Sequence, residues 1–276
     1  KGRLNSWEII PYFTDLCDTR HDVLSLYFHT RFSTNTDPHP TMAQPFRLMA
    51  HNGELNTDKK NRLSETAVAL ARNKSIIRPQ GQSDSCRLDQ TLSSRVYEEG
   101  LDLVTAVISM MPPAWENDSD IEPNVRSMFE YFSLFEEKND GPAAIVFGDG
   151  DIIGARLDRL GLRPLRTLET DNYLIVTSEA GQVPIEPSKV LRRGRVEAGG
   201  MIYFDHSKGR VVKSNEALTQ LASAFNYAEM VKALSLNISE LDGPKSDPTV
   251  VEYNGDLNVW SRYVAFNHNQ ESFKFL

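Results

Sequence analysis

Hydrophobic positions along this chain change their period part-way. Residues 23–32 alternate, with Leu24, Leu26 and Phe28 on one face and Ser25, Tyr27 and His29 on the other. That pattern predicts a strand with Arg31 at its end, ahead of a polar loop holding Pro38 and Pro40. A second short strand is predicted over residues 46–50, running into His51-Asn52-Gly53-Glu54. Gly81-Gln82-Ser83-Asp84-Ser85 then opens a helical pattern, with Leu88, Leu92 and Val96 one turn apart. Residues 61–73 are rich in helix formers, and residues 101–111 read as a buried strand stopped by Pro112-Pro113. Val125, Met128, Phe129, Phe132 and Phe135 form an amphipathic helix stripe. The opening segment carries Trp7, Ile10, Phe13 and Leu16 near helical spacing, interrupted by Pro11.

Beyond the turn Asn139-Asp140-Gly141-Pro142 the pattern becomes β. Residues 143–147 and 152–157 flank Gly148-Asp149-Gly150, a hairpin signal. Residues 165–168 and 173–178 flank 169–172 in the same way, and Val196 and residues 201–204 add short strands around Gly199-Gly200. Residues 215–234 return to helical spacing, and after Ser235 the chain turns polar and turn-rich. Helices early and antiparallel hairpins late predict an α+β fold. The organisation expected is one domain over residues 1–210, then a C-terminal helix and linker over 211–276 leading toward a following domain.

Composition narrows the classes. At 276 residues, 40% hydrophobic and 25% charged, the chain is long enough for a sizeable core. Its net charge of −8 argues against a nucleic-acid-binding surface. The densest basic cluster, Arg192-Arg193 with Arg195, reads as a solvated or inter-domain face. No apolar stretch approaches the ~18 residues a membrane span needs. Two cysteines without metal or Cys-x-x-Cys spacing fit a reducing compartment, and a cytoplasmic location is expected. The six histidines show no zinc spacing, so no metal site is expected.

The chemistry concentrates at the predicted element ends. Asn52-Gly53 is also the commonest hairpin turn pair. It is equally a pair able to stabilise an oxyanion, the Asn amide and the Gly N–H converging on one oxygen. Arg31 is suited to grip a carboxylate in a fork, or is simply a surface arginine at a strand end. Asp84 is suited to an ammonium, or complements a helix dipole with Ser83 as the cap; both roles are compatible. Together the four residues fit a free amino acid whose side-chain carbonyl is under attack, and glutamine satisfies that. His51 is read as a side chain that fixes the loop, and Glu54 as a supporting hydrogen-bond acceptor. Cys86 reads as a small buried hydrophobe. Asp158-Arg159 and Arg163-Pro164 read as a structural ion-pair turn.

These motifs resemble the type-II glutamine amidotransferase domain of the glutamate synthase large subunit. The resemblance continues, in family order, through Met110-Met111-Pro112-Pro113-Ala114-Trp115, Asp140-Gly141-Pro142-Ala143-Ala144 and Asp158-Arg159-Leu160-Gly161-Leu162-Arg163-Pro164. Ser178-Glu179, Gly194-Arg195 and Gly199-Gly200-Met201 extend it, and Tyr227-Ala228-Glu229 matches more weakly. The resemblance implies a four-layer αββα sandwich of the N-terminal-nucleophile hydrolase type. It assigns Arg31 to the α-carboxylate of L-glutamine, Asp84 to its α-ammonium, and Asn52 with Gly53 to the oxyanion.

Family members attack the amide with a cysteine at the mature N-terminus, its α-amino group serving as base. This chain begins Lys1-Gly2-Arg3, and Cys17 and Cys86 match no nucleophile position. The expectation is a fragment incomplete at its N-terminus and inactive alone. In a complete glutamate synthase the released ammonia would add to 2-oxoglutarate, with FMN and an iron–sulfur cluster in later domains and electrons from a reductase subunit or ferredoxin. No cofactor is expected in this chain. Two alternatives remain from the sequence: a stand-alone amidotransferase subunit serving another synthase, and a non-catalytic glutamine-sensing module.

Overall fold

A computed structural model describes residues 4–30, 39–55, 59–75 and 82–241, and beyond them 261, 263, 264, 266–269 and 272. The chain divides into two units, Lys1–Leu234 and Ser235–Leu276. In the second, a 3-10 turn spans Ile238–Glu240, with the Asn237 side chain accepting from the Ser239 N–H.

The first unit contains helices α1 (Ile9–Tyr12), α2 (Lys59–Ala71), α3 (Asp84–Tyr97), α4 (Leu103–Met110), α5 (Pro123–Ser133), α6 (Ser214–Ala222) and α7 (Tyr227–Leu234). Its strands are β1 (Met49–Gly53), β2 (Ala143–Gly148), β3 (Ile152–Leu157), β4 (Arg166–Glu169), β5 (Leu174–Thr177), β6 (Arg192–Arg195), β7 (Met201–Asp205) and β8 (Arg210–Lys213). They form an antiparallel five-stranded sheet in the order β1-β2-β3-β7-β8 and a three-stranded sheet in the order β5-β4-β6.

Side-chain alternation gives the large sheet two buried faces. Met49, Ile145, Phe147, Met201 and Tyr203 face a core completed by Leu88 and Leu92 of α3, all of α4's apolar residues, and Val125, Met128, Phe129 and Phe132 of α5. Ala144, Ala155, Leu157 and Ile202 face the other way, toward a smaller core with Leu165, Val196, Leu174 and Val176 from the second sheet and its flanks. The described residues thus stack helix, sheet, sheet, which is the expected α+β class. The predicted hairpins at β2–β3 and β4–β5 form, as do the amphipathic helix α5 and the Ser83-capped helix α3, where Ser83 Oγ accepts from the Cys86 N–H at 3.1 Å. Arg192, Arg193 and Arg195 are exposed on β6.

Three local expectations are corrected. Residues 101–111 are not a strand: α4 runs through Leu103–Met110 with every residue buried. A short, continuously apolar run fits a buried helix as well as a buried strand. Here Asp102 decides, because its carboxylate accepts the Thr105 N–H at 2.9 Å and caps the first turn. Residues 21–30 carry no regular structure, and Leu24 is 81% exposed. Their alternation is real, but no described strand pairs with them, and a lone alternating segment has nowhere to direct its N–H and C=O groups. Finally, the strand expected at 46–50 lies at Met49–Gly53, so the His-Asn-Gly motif sits inside the strand and not in a turn after it.

Candidate active site

The motif strand is held from both sides before it reaches the site. Buried Asp89 on α3 accepts the backbone N–H groups of Leu48 at 2.8 Å, Met49 at 3.0 Å and Arg47 at 3.2 Å. On the side away from β2 the Gln44 amide spans His51, donating to its carbonyl at 2.9 Å and accepting from its N–H. The Gly148 N–H donates to Leu48 O and the Glu54 N–H to Pro142 O, so the ladder bonds between β1 and β2 fall on the even-numbered residues of β1. His51 and Gly53 therefore turn their N–H groups outward. That of His51 is taken by Gln44; that of Gly53 points off the sheet's edge at an exposed residue.

Only glycine fits there. A Cβ on Gly53, whose φ is +152°, would lie 1.8 Å from Pro142 O. The neighbouring side chains take opposite faces. His51 turns toward the helices, where Nδ1 and Ser85 Oγ share a hydrogen bond of 2.8 Å. Asn52, paired with Ala144, turns toward the inter-sheet side. There Arg163 Nη2 donates to Asn52 Oδ1 at 2.6 Å.

His51 is 3% exposed, and burial pushes its pKa down to about 4. The Pro142 carbonyl opposes that shift, while the charges of His29 and Arg163 add to it. The ring is neutral at physiological pH. Its Nε2 has no hydrogen bond of good geometry among the described residues, despite the nearby carbonyl. The buried ring joins the strand to α3 through its bond to Ser85.

Asp84 occupies the first turn of α3, its side chain 42% exposed and 4.0 Å from Arg87 Nη1. The adjacent Ser85–His51 bond ties this helix start to β1, so Asp84 and the Asn52-Gly53 pair are each one residue from a shared cross-link. Glu54 is exposed, its backbone N–H donating to Pro142 O at 2.9 Å. Arg31 lies outside the described residues.

The expected ion-pair turn at 158–164 is built differently. Asp158 is buried and its carboxylate collects N–H groups: Leu160 at 3.1 Å, Leu162 at 3.0 Å, Ala143 at 3.2 Å and Arg163 at 3.3 Å. Arg159 pairs with Asp140 at 2.8 Å, and Arg163 is sent to Asn52. Pattern reading missed the Arg163 contact to Asn52, since a contact across 111 residues leaves no local periodicity.

A family model for class-II glutamine amidotransferases matches residues 1–230. The chain belongs to that family. It is 32% identical to the NADH glutamate synthase of Schizosaccharomyces pombe over all of this chain and 14% of that protein. It is 34% identical to the ferredoxin-dependent glutamate synthase of Antithamnion sp., over 88% of this chain and 16% of that protein. With ferredoxin-dependent glutamate synthase 2 of Synechocystis sp. it shares 34% identity over 98% of this chain and 18% of that protein. The chain thus spans 14–18% of the length of these relatives. Among solved structures, a glutamine PRPP amidotransferase from B. subtilis corresponds over 67% of this chain and 33% of that one, with 20% identity and a TM-score of 0.38.

Neither cysteine of this amidotransferase domain has its sulfur hydrogen-bonded to a basic side chain among the described residues. Cys17 is exposed, with Sγ 3.4 Å from Ile10 O, and Cys86 sits in the first turn of α3, where Gln82 Nε2 approaches its sulfur at 3.7 Å. No group of three or more His, Cys, Asp or Glu among the described residues is arranged to hold a metal ion, and no described helix is long and apolar enough to cross a membrane.

Proposed function

We propose that this domain binds L-glutamine and polarises its side-chain amide for hydrolysis to glutamate and ammonia, as the glutamine-using portion of a glutamate synthase. The observation that carries the reading is that Asn52, its amide oxygen held by Arg163, is followed directly by Gly53, whose N–H is turned away from β2. As a nucleophile adds to the amide carbon, the carbonyl electron pair moves onto oxygen, and two fixed donors there stabilise the charge without reorganising. Arg31 grips the α-carboxylate and Asp84 the α-ammonium. In the complete protein the ammonia would be passed to 2-oxoglutarate at other domains, where FMN and an iron–sulfur cluster would supply the reducing chemistry. A ferredoxin or a reductase subunit is the electron source. The two unpaired cysteines support a reducing compartment such as the cytoplasm.

The test is Asn52→Ala in the complete protein, assayed for glutamate formation with glutamine and with free ammonia. Loss of one such donor is expected to lower glutamine-dependent kcat by about 10²–10³ with little change in KM. Ammonia-dependent activity should survive. An unchanged kcat with a raised KM would return Asn52 to a binding or structural role.

A further inference from the structure

Arg163 contacts the Asn52 side chain in a way that sets which end of that amide is which. A guanidinium has only donors, so the atom it meets at 2.6 Å must be the amide oxygen, Oδ1. With Oδ1 engaged, the Nδ2 end is turned away from Arg163, and nothing among the described residues accepts from it. A free Asn amide flips readily between two orientations, one of which would present an oxygen lone pair to a developing oxyanion. The arginine removes that second orientation.

Arg163 is itself well anchored. Its backbone N–H and those of Leu160 and Leu162 bind the buried Asp158 carboxylate. The same carboxylate binds the N–H of Ala143, the strand partner of Gly53. On the other side Pro164 restricts Arg163 to extended backbone, and Leu165 is buried between the sheets. A single loop therefore ties the Asn52 amide, through the Arg163 side chain, and Ala143, the β2 residue opposite Gly53, to one carboxylate.

We propose that Arg163 is a positioning residue that holds the Asn52 amide with its N–H donor toward the scissile carbonyl oxygen of glutamine. This rests on the reading of Asn52 as an oxyanion donor. A residue acting only through Asn52 has a distinctive kinetic signature, because its loss is invisible once Asn52 is gone.

The experiment is a double-mutant cycle in the complete protein, with Asn52→Ala, Arg163→Met and the pair together, measuring glutamine-dependent kcat and KM separately. Expected are a fall in kcat of about 10²–10³-fold for Asn52→Ala and at least about tenfold for Arg163→Met, with glutamine KM within about twofold. The double variant should be no slower than Asn52→Ala alone. If Asn52→Ala leaves kcat intact, the donor reading falls and the positioning role with it. If Asn52→Ala is slow while Arg163→Met is not, or if the two losses multiply, the donor reading stands and the positioning role is overturned. Should Arg163→Met fail to fold, Arg163→Lys keeps one donor on a different head. It is expected to lose less than about tenfold in kcat at constant KM, and a loss confined to KM would overturn the proposal.

Discussion

His51 Nδ1 and Ser85 Oγ lie 2.8 Å apart, joining the strand of one candidate motif to the helix of the other. The imidazole is almost wholly buried, its backbone is clasped by Gln44, and α3 holds the lead into β1 through Asp89. The geometry of the site thus depends on a neutral histidine staying neutral.

That dependence predicts acid sensitivity. The His51 pKa falls from 6.5 to about 4 on folding. Across that window the unfolded chain binds more protons at this position than the folded one, so stability drops as pH falls below 6.5 and the loss is complete near pH 4. Between pH 7 and pH 5 this group should remove about 2 kcal/mol. Urea unfolding at a series of pH values checks it. His51→Gln should be less stable at pH 7 and show a shallower decline toward pH 5, and an unchanged slope would assign the acid sensitivity to other groups.

Much of the site was legible in the sequence as residue types, and much less of it as backbone state. Asn52-Gly53 reads as oxyanion chemistry or as a hairpin turn, and turn preference says nothing of a strand. It is the Pro142 carbonyl, brought alongside by the β2 register, that makes the glycine obligatory in an extended edge. The Ser83 cap and the α5 stripe were readable because their causes are local: a hydroxyl three residues before the N–H it accepts, and apolar side chains one turn apart. Residues 103–110 were misread because burial on all sides erases periodicity, leaving only Asp102 to mark a helix start. The strand expected near residue 24 failed for the opposite reason: the alternation was present without a described partner edge.

Gly53→Ala should damage both fold and activity. The added methyl would meet a backbone carbonyl, which cannot step aside like a flexible side chain, at a distance of 1.8 Å. Relief requires moving β1 away from Pro142 and breaking the Glu54–Pro142 bond. A destabilisation of about 2 kcal/mol or more is expected by thermal or urea unfolding, with glutamine-dependent kcat falling as the N–H donor shifts. A variant of native stability would mean that the strand edge yields more easily than this packing indicates.

Cys86 lies one residue from Ser85 and two from Asp84, close enough to invite assignment as the attacking thiol. Its surroundings argue otherwise, because the only described side chains bonded to this residue are Gln82, which approaches the sulfur, and Ser83, which caps its N–H. In the complete protein Cys86→Ala should keep glutamine-dependent kcat within about twofold, as for a substitution that empties little space. Loss of all activity, with the fold intact by circular dichroism, would make Cys86 the nucleophile.

Arg31 and Asp84 are expected to act on binding more than on chemistry. The carboxylate and ammonium of glutamine carry the same charge before and during attack on the distant amide, so groups that hold them stabilise ground and transition states alike. Asp84→Asn keeps the shape of the helix start, where Ser83 supplies the cap, and removes only the charge. A charged hydrogen bond contributes about 1.5–3 kcal/mol, which converts to a glutamine KM raised by roughly 10- to 100-fold with kcat largely kept. Arg31→Ala should raise KM by a similar factor. The two substrates separate this from general damage: ammonia-dependent turnover should be unaffected by either change. Were Asp84→Asn to lower kcat at constant KM, the carboxylate would belong to the reacting end of the substrate, and the orientation of glutamine assumed here would have to be reversed.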